Sequence, residues 1–211
     1  MRRNSRIIIT GTVLILLLTC LILPVSSLSA RYVISEDGTI YRAEVEIAEQ
    51  DHYNFYEVGI LGERIPVTAS NISLLYNGKE APFEKTREGI SFQKGNYTLV
   101  YDRPVKTNQI QEQYDSPRTS TVIIPSAFRI DNPLLAVISP SSYSIQQFNN
   151  TTNVSVVSWK ESQFIQVKYY DSKQVQALWA FAQFWIIIAI VLLLPYYLTN
   201  SSRGLKPPEN E

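Results

Sequence analysis

The chain has 211 residues, nineteen acidic and nineteen basic side chains, one histidine and one cysteine. Balanced charge with no basic patch interleaved with aromatics excludes nucleic-acid binding. One histidine and one cysteine exclude a zinc site and an intrachain disulfide, so no metal, cofactor or covalent staple is expected.

The first element is a hydrophobic segment. Arg2, Arg3 and Arg6 precede an apolar stretch from Ile7 to Leu23, which Pro24 ends. Ser27, Leu28 and Ser29 fit a signal-peptidase site, with cleavage before Ala30. Residues 1–29 therefore read as a signal peptide or as a retained signal anchor. Both place the following residues outside the cytoplasm. Cys20 reads as a small apolar residue of this segment, because Thr19 stands where a lipoprotein signal carries Gly, Ala or Ser.

Residues 30–174 read as an extracytoplasmic domain. Arg31 to Gln174 holds fourteen basic and seventeen acidic residues, a balance of −3. Tyr41 to Ile47 alternates apolar and charged residues, the period of a half-buried strand, and Asp37-Gly38 before it predicts a tight turn. Ile72 to Tyr76 with Asn77-Gly78 predicts a second strand and turn. Gly89 to Phe92, Lys94-Gly95-Asn96 and Tyr97 to Tyr101 read as a hairpin. Lys106 to Arg118 is polar with a proline, and reads as a long loop or internal boundary. Thr119–Ile124, Leu134–Ile138, Tyr143–Phe148, Val154–Trp159 and Phe164–Tyr170 follow as short strands. Strands at this spacing predict an antiparallel β-sandwich, as one domain or two. Val45, Leu99 and Trp159 are expected in its core.

Catalytic chemistry finds little support. His52 sits beside Asp51 in a polar stretch, and no G-x-S-x-G nucleophile setting accompanies it. Glu44 and Glu46 share a strand face but read as its solvated side. No phosphate-binding glycine loop is present. The expectation is a non-enzyme, with no catalytic residue. Five N-x-[ST] triplets fall in the exterior portion, at Asn71, Asn96, Asn149, Asn150 and Asn153, and are candidate glycosylation sites.

The last element is Val175 to Leu198, which carries no charged residue. As a helix it is roughly 36 Å long, enough to cross a hydrocarbon core of about 30 Å. Arg203 and Lys206 follow it, so the positive-inside bias places residues 199–211 in the cytoplasm. Gln176, Ala180 and Gln183 share one helix face and suit a helix–helix contact, with a membrane-protein partner or a second copy.

The order Asn132-Pro133-Leu134-Leu135, Ile138-Ser139-Pro140, Val157-Ser158-Trp159 and Val167-Lys168-Tyr169-Tyr170-Asp171, leading into the apolar helix, resembles an uncharacterised family of archaeal exported proteins. The resemblance covers about the last eighty residues. It implies an N-terminal signal, a β-rich domain and one C-terminal span, and no known activity. The sequence thus predicts an all-β sandwich ectodomain with a C-terminal transmembrane α-helix and an N-terminal signal or anchor helix. Its expected location is the cell membrane, crossed once, or twice if the N-terminal segment is retained. The expected role is a non-catalytic binding or accessory module for an envelope or membrane protein. A structural cell-surface protein and an exported hydrolase are the alternatives.

Overall fold

A computed structural model describes residues 27–59, 61–148 and 154–202. Residues 1–26 of the signal or anchor segment and the acceptors Asn149, Asn150 and Asn153 lie outside the described residues, while Ser29, beside the expected cleavage site, already opens the first strand. The strands are β1 (Ser29–Ile34), β2 (Ile40–Asn54), β3 (Tyr56–Val58), β4 (Arg64–Pro66), β5 (Ser70–Tyr76), β6 (Lys79–Glu80), β7 (Glu84–Lys85), β8 (Gly89–Pro104), β9 (Gln109–Ile124), β10 (Val137–Ser139), β11 (Tyr143–Phe148) and β12 (Val154–Lys168). One helix, α1 (Ser172–Ser202), follows. Ten strands form one continuous sheet in the order β10-β12-β9-β1-β2-β8-β5-β6, with β11 also on β12 and β7 on β8. A separate ribbon pairs β3 with β4. The pairing is antiparallel except where β1 lies parallel to β9.

Alternation sets which face is covered. In β2, Tyr41, Ala43, Val45 and Ile47 are buried, while Arg42, Glu44 and Glu46 face solvent. The same period buries Leu99 and Tyr101 of β8, Val122 and Ile124 of β9, and Val157, Trp159, Ile165 and Val167 of β12. These side chains form a single apolar cluster. Burial of that face is the main favourable term, since each large apolar side chain removed from water contributes roughly 1.5–3 kcal/mol.

Two expected turns are present. Ser35 and Gly38 close the turn between β1 and β2. Asn77 and Gly78, with φ of 50° and 77°, link β5 to β6 in the left-handed conformations a two-residue hairpin requires.

Two other expectations are corrected. The hairpin at residues 89–101 is instead one strand, paired with β2 along its length. Lys94-Gly95-Asn96 marks a bulge rather than a turn. Glu49 of β2 takes φ of 55° at that irregularity, and its amide donates to Asn96 Oδ1 at 3.0 Å. The glycine that β8 does require is Gly89, where a Cβ would stand 1.9 Å from the Tyr53 carbonyl oxygen.

The loop at residues 106–118 is the second correction. Only Lys106 to Asn108 turns; β9 begins at Gln109 and runs to Ile124. Its alternation was hidden because the inward positions include Glu112 and Arg118, both buried. Pro117 is tolerated because the pairing with β12 jumps from Gln113 to Arg118, which frees the intervening residues from the ladder. Likewise Thr119–Ile124 extends back into β9, and Val154–Trp159 and the expected strand Phe164–Tyr170 as far as Lys168 merge into β12. A bulge at Glu161, with φ of 54°, joins those two halves. The sheet is built on four strands of 15–16 residues, not on short strands alone.

The sheet passes into α1 without a free linker. Tyr169 and Tyr170 are buried, and Tyr170 exchanges backbone hydrogen bonds with Arg129. Asp171 then caps the helix. Its carboxylate accepts from the Gln174 amide at 3.0 Å, and the Gln174 side chain accepts from the Asp171 amide at 3.1 Å. This reciprocal pair is a capping box. Asn108 also reaches Gln174, at 3.4 Å, tying the first turn to the loop before β9. Within Ser172–Leu198 the most apolar eighteen-residue stretch of the helix has a mean hydropathy of 2.5, and none of it is buried against the other described residues.

Candidate functional site

The described residues place the sequence-predicted positions apart from one another. Gln176, Ala180 and Gln183 lie on α1, all exposed. Asn71 and Asn96 are exposed, but differ in what their amides do. Asn71, at φ of 50°, donates its Nδ2 to Asp102 at 2.7 Å. Asn96 uses only its Oδ1, for the Glu49 amide. The nitrogen that a glycan would occupy is thus engaged in Asn71 and not in that contact of Asn96. His52 is exposed and bonded to Asp51 at 2.6 Å.

Asp102 links this surface to the core. Arg42 donates to it through Nε at 2.9 Å and Nη2 at 3.2 Å. Those bonds, with help from Asn71, hold its carboxyl below the ordinary range. A depressed folded pKa means the contribution is complete above about pH 4 and is lost as pH falls through the folded value. Asp102→Asn should therefore flatten the acid limb of a stability-against-pH curve between about pH 5 and 2. At neutral pH it should cost of order 1 kcal/mol, since Arg42 is largely solvated. An unchanged acid limb in chemical denaturation would contradict this.

The most enclosed polar feature is a cavity of about 160 Å³ where the second half of β2, β8, β9 and the ribbon meet. Tyr53, Phe55, Tyr101 and Tyr114 supply aromatic walls, and Arg103, Arg118 and Glu112 supply buried charge. Glu112 Oε1 accepts from Arg103 Nη1 at 2.9 Å and from the Tyr41 hydroxyl at 2.5 Å. Burial pushes the Glu112 carboxyl up, while Arg103 and then Tyr41 pull it down. Arg103 also reaches Glu57 at 3.2 Å, which Lys106 meets at the same distance. Tyr53 is pushed up to about 12 by burial, so its phenol is a neutral hydrogen-bonding group here.

Across the cavity, Tyr114 donates to the Tyr32 hydroxyl at 2.8 Å and accepts from Ser120 at 3.1 Å. Arg118 lies over the Tyr114 ring at 4.4 Å and donates Nη1 to the Glu46 carbonyl at 3.1 Å. Its buried Nε has no acceptor among the described residues. At the rim, the ribbon's Arg64 stacks on Tyr56 and pairs with Asp115 at 3.0 Å, while Tyr56 donates to the Gln113 carbonyl.

Sequence reasoning passed over Arg103, Glu112 and Arg118, all inward positions of their strands. The legible signal was a charge at three positions where the strand period demands an apolar residue. It becomes visible only once β9 is known to be a strand.

The profile of DUF5803, a family of unknown function, matches residues 26–202. The chain belongs to DUF5803. The DUF5803 match spans both the sheet and the apolar helix. It is much longer than the C-terminal resemblance seen in the sequence. No curated protein matches the chain.

Proposed function

We propose that this chain is an exported, membrane-tethered binding module, non-catalytic, that docks to another envelope or membrane protein. The observation that carries the reading is the coupling of α1 to the sheet. An apolar helix long enough to span a bilayer is capped by Asp171, next to buried Tyr169 and Tyr170, and tied to the loop before β9 by the Asn108–Gln174 hydrogen bond. A flexible linker would suit a passive tether; a fixed junction holds the domain at a set height above the membrane. The proposal includes the archaeal exported setting and glycosylation at the exposed sequons. It also includes a two-layer closure of the curled sheet around its single apolar cluster.

Within α1, Gln183 is the group most in need of a partner, because an amide in hydrocarbon gains from an interhelical hydrogen bond. Extraction of native membranes in mild detergent should recover the chain with a stoichiometric membrane protein. Gln183→Leu should weaken that association about threefold to thirtyfold, matching the roughly 0.6–2 kcal/mol of such bonds. Release only together with wall material would overturn the accessory role in favour of a structural one.

A further inference from the structure

We infer that the cavity beside Arg118 binds a small organic monoanion, a carboxylate on a flat apolar body. The inference rests on the reading of the domain as a binding module, and names what this site would take. Charge bookkeeping at the cavity points to an anion. Arg64 is neutralised by Asp115 and Arg103 by Glu112, which leaves Arg118 without a carboxylate among the described residues. Arg118 is only 4% exposed, and its Nε has no acceptor among those residues. An uncompensated buried cation is costly, and a fold that keeps one has a use for the missing charge.

The shape of the site selects among anions. One positive charge matches a monoanion, and the buried Glu112 nearby opposes a second negative charge. A guanidinium presents a planar fork that fits the two oxygens of a carboxylate. The Tyr53, Phe55, Tyr101 and Tyr114 rings line the cavity and give a flat body apolar walls. The volume also fits. The cavity measures about 160 Å³, and an engineered apolar cavity of about 150 Å³ holds benzene.

Benzoate is the direct probe, titrated into the full chain in detergent micelles, with benzamide as its neutral isostere. Benzoate should saturate and raise Tm, and benzamide should bind about tenfold to a hundredfold more weakly, the loss of charge-assisted hydrogen bonds. Arg118→Gln should abolish the preference for benzoate. Because it removes an unpaired charge, it should leave Tm without ligand within about 4 °C of the parent. The benzoate–benzamide comparison on the parent protein stands even where the variant folds poorly. Equal binding of the two compounds, or binding unaffected by Arg118→Gln, would overturn the inference. Saturation by inorganic phosphate but not benzoate would overturn the carboxylate assignment. Loss of the detergent-stable partner would instead strike the accessory role and leave benzoate binding intact.

Discussion

Arg103→Met is expected to destabilise the β domain by roughly 3–5 kcal/mol, because it leaves the Glu112 carboxylate buried without its guanidinium. Arg103 and Glu112 are 3% and 6% exposed, so water cannot replace the lost partner. Relative to the parent, the deficit should shrink as pH is lowered. A carboxyl whose folded pKa is raised contributes its stability below the unfolded pKa and loses it as pH rises through the folded one. Pairing Arg103→Met with Glu112→Leu should recover much of the loss, since replacing a whole buried ion pair by apolar groups is often neutral or better. Denaturant titration at several pH values checks all three statements. A single-variant loss below about 1 kcal/mol would show that the pair is solvated.

Trp159→Ala is expected to cost roughly 3–5 kcal/mol. The indole is fully buried, packs edge-to-face on Tyr143 and donates Nε1 to the Pro140 carbonyl at 3.0 Å. Its removal opens a cavity and strands that acceptor, and it loosens the seam between β11 and β12. With typical domain stability at about 5–15 kcal/mol, the loss should lower the melting temperature by many degrees. An unchanged melting temperature would contradict the packing described above.

Trp159 was legible in the sequence, as were Val45 and Leu99. Val45 and Trp159 lie between polar outward neighbours, Leu99 shares its face with Tyr97 and Tyr101, and all three are fully buried. The turns at Asp37-Gly38 and Asn77-Gly78 were legible because the left-handed φ values of Gly38, Asn77 and Gly78 select those residue types. What misled was polarity taken as a loop signal. Residues 109–118 are rich in Gln, Glu and Asp, yet Glu112 and Arg118 point inward, Glu112 onto Arg103 and Tyr41 and Arg118 over the Tyr114 ring. A buried polar network looks like a loop to hydropathy, and long-range partners such as Arg103 and Glu112 become evident only when β8 and β9 are placed. Bulges at Glu49 and Glu161 hid the length of β2 and β12 in the same way, by breaking the period in mid-strand. The apolar span of α1 was readable in full, but its capped junction with the sheet was not. The capping box needs Asp171 and Gln174, whose residue types are common in loops too.

The central claim is a β domain held outside the membrane by α1, and paired reporter fusions test it most directly. A compartment-sensitive reporter inserted at the exposed Asn77-Gly78 turn should be active only outside the cytoplasm. The same reporter fused after Glu211 should be active only inside. Activity of both fusions on one side of the membrane would contradict the account.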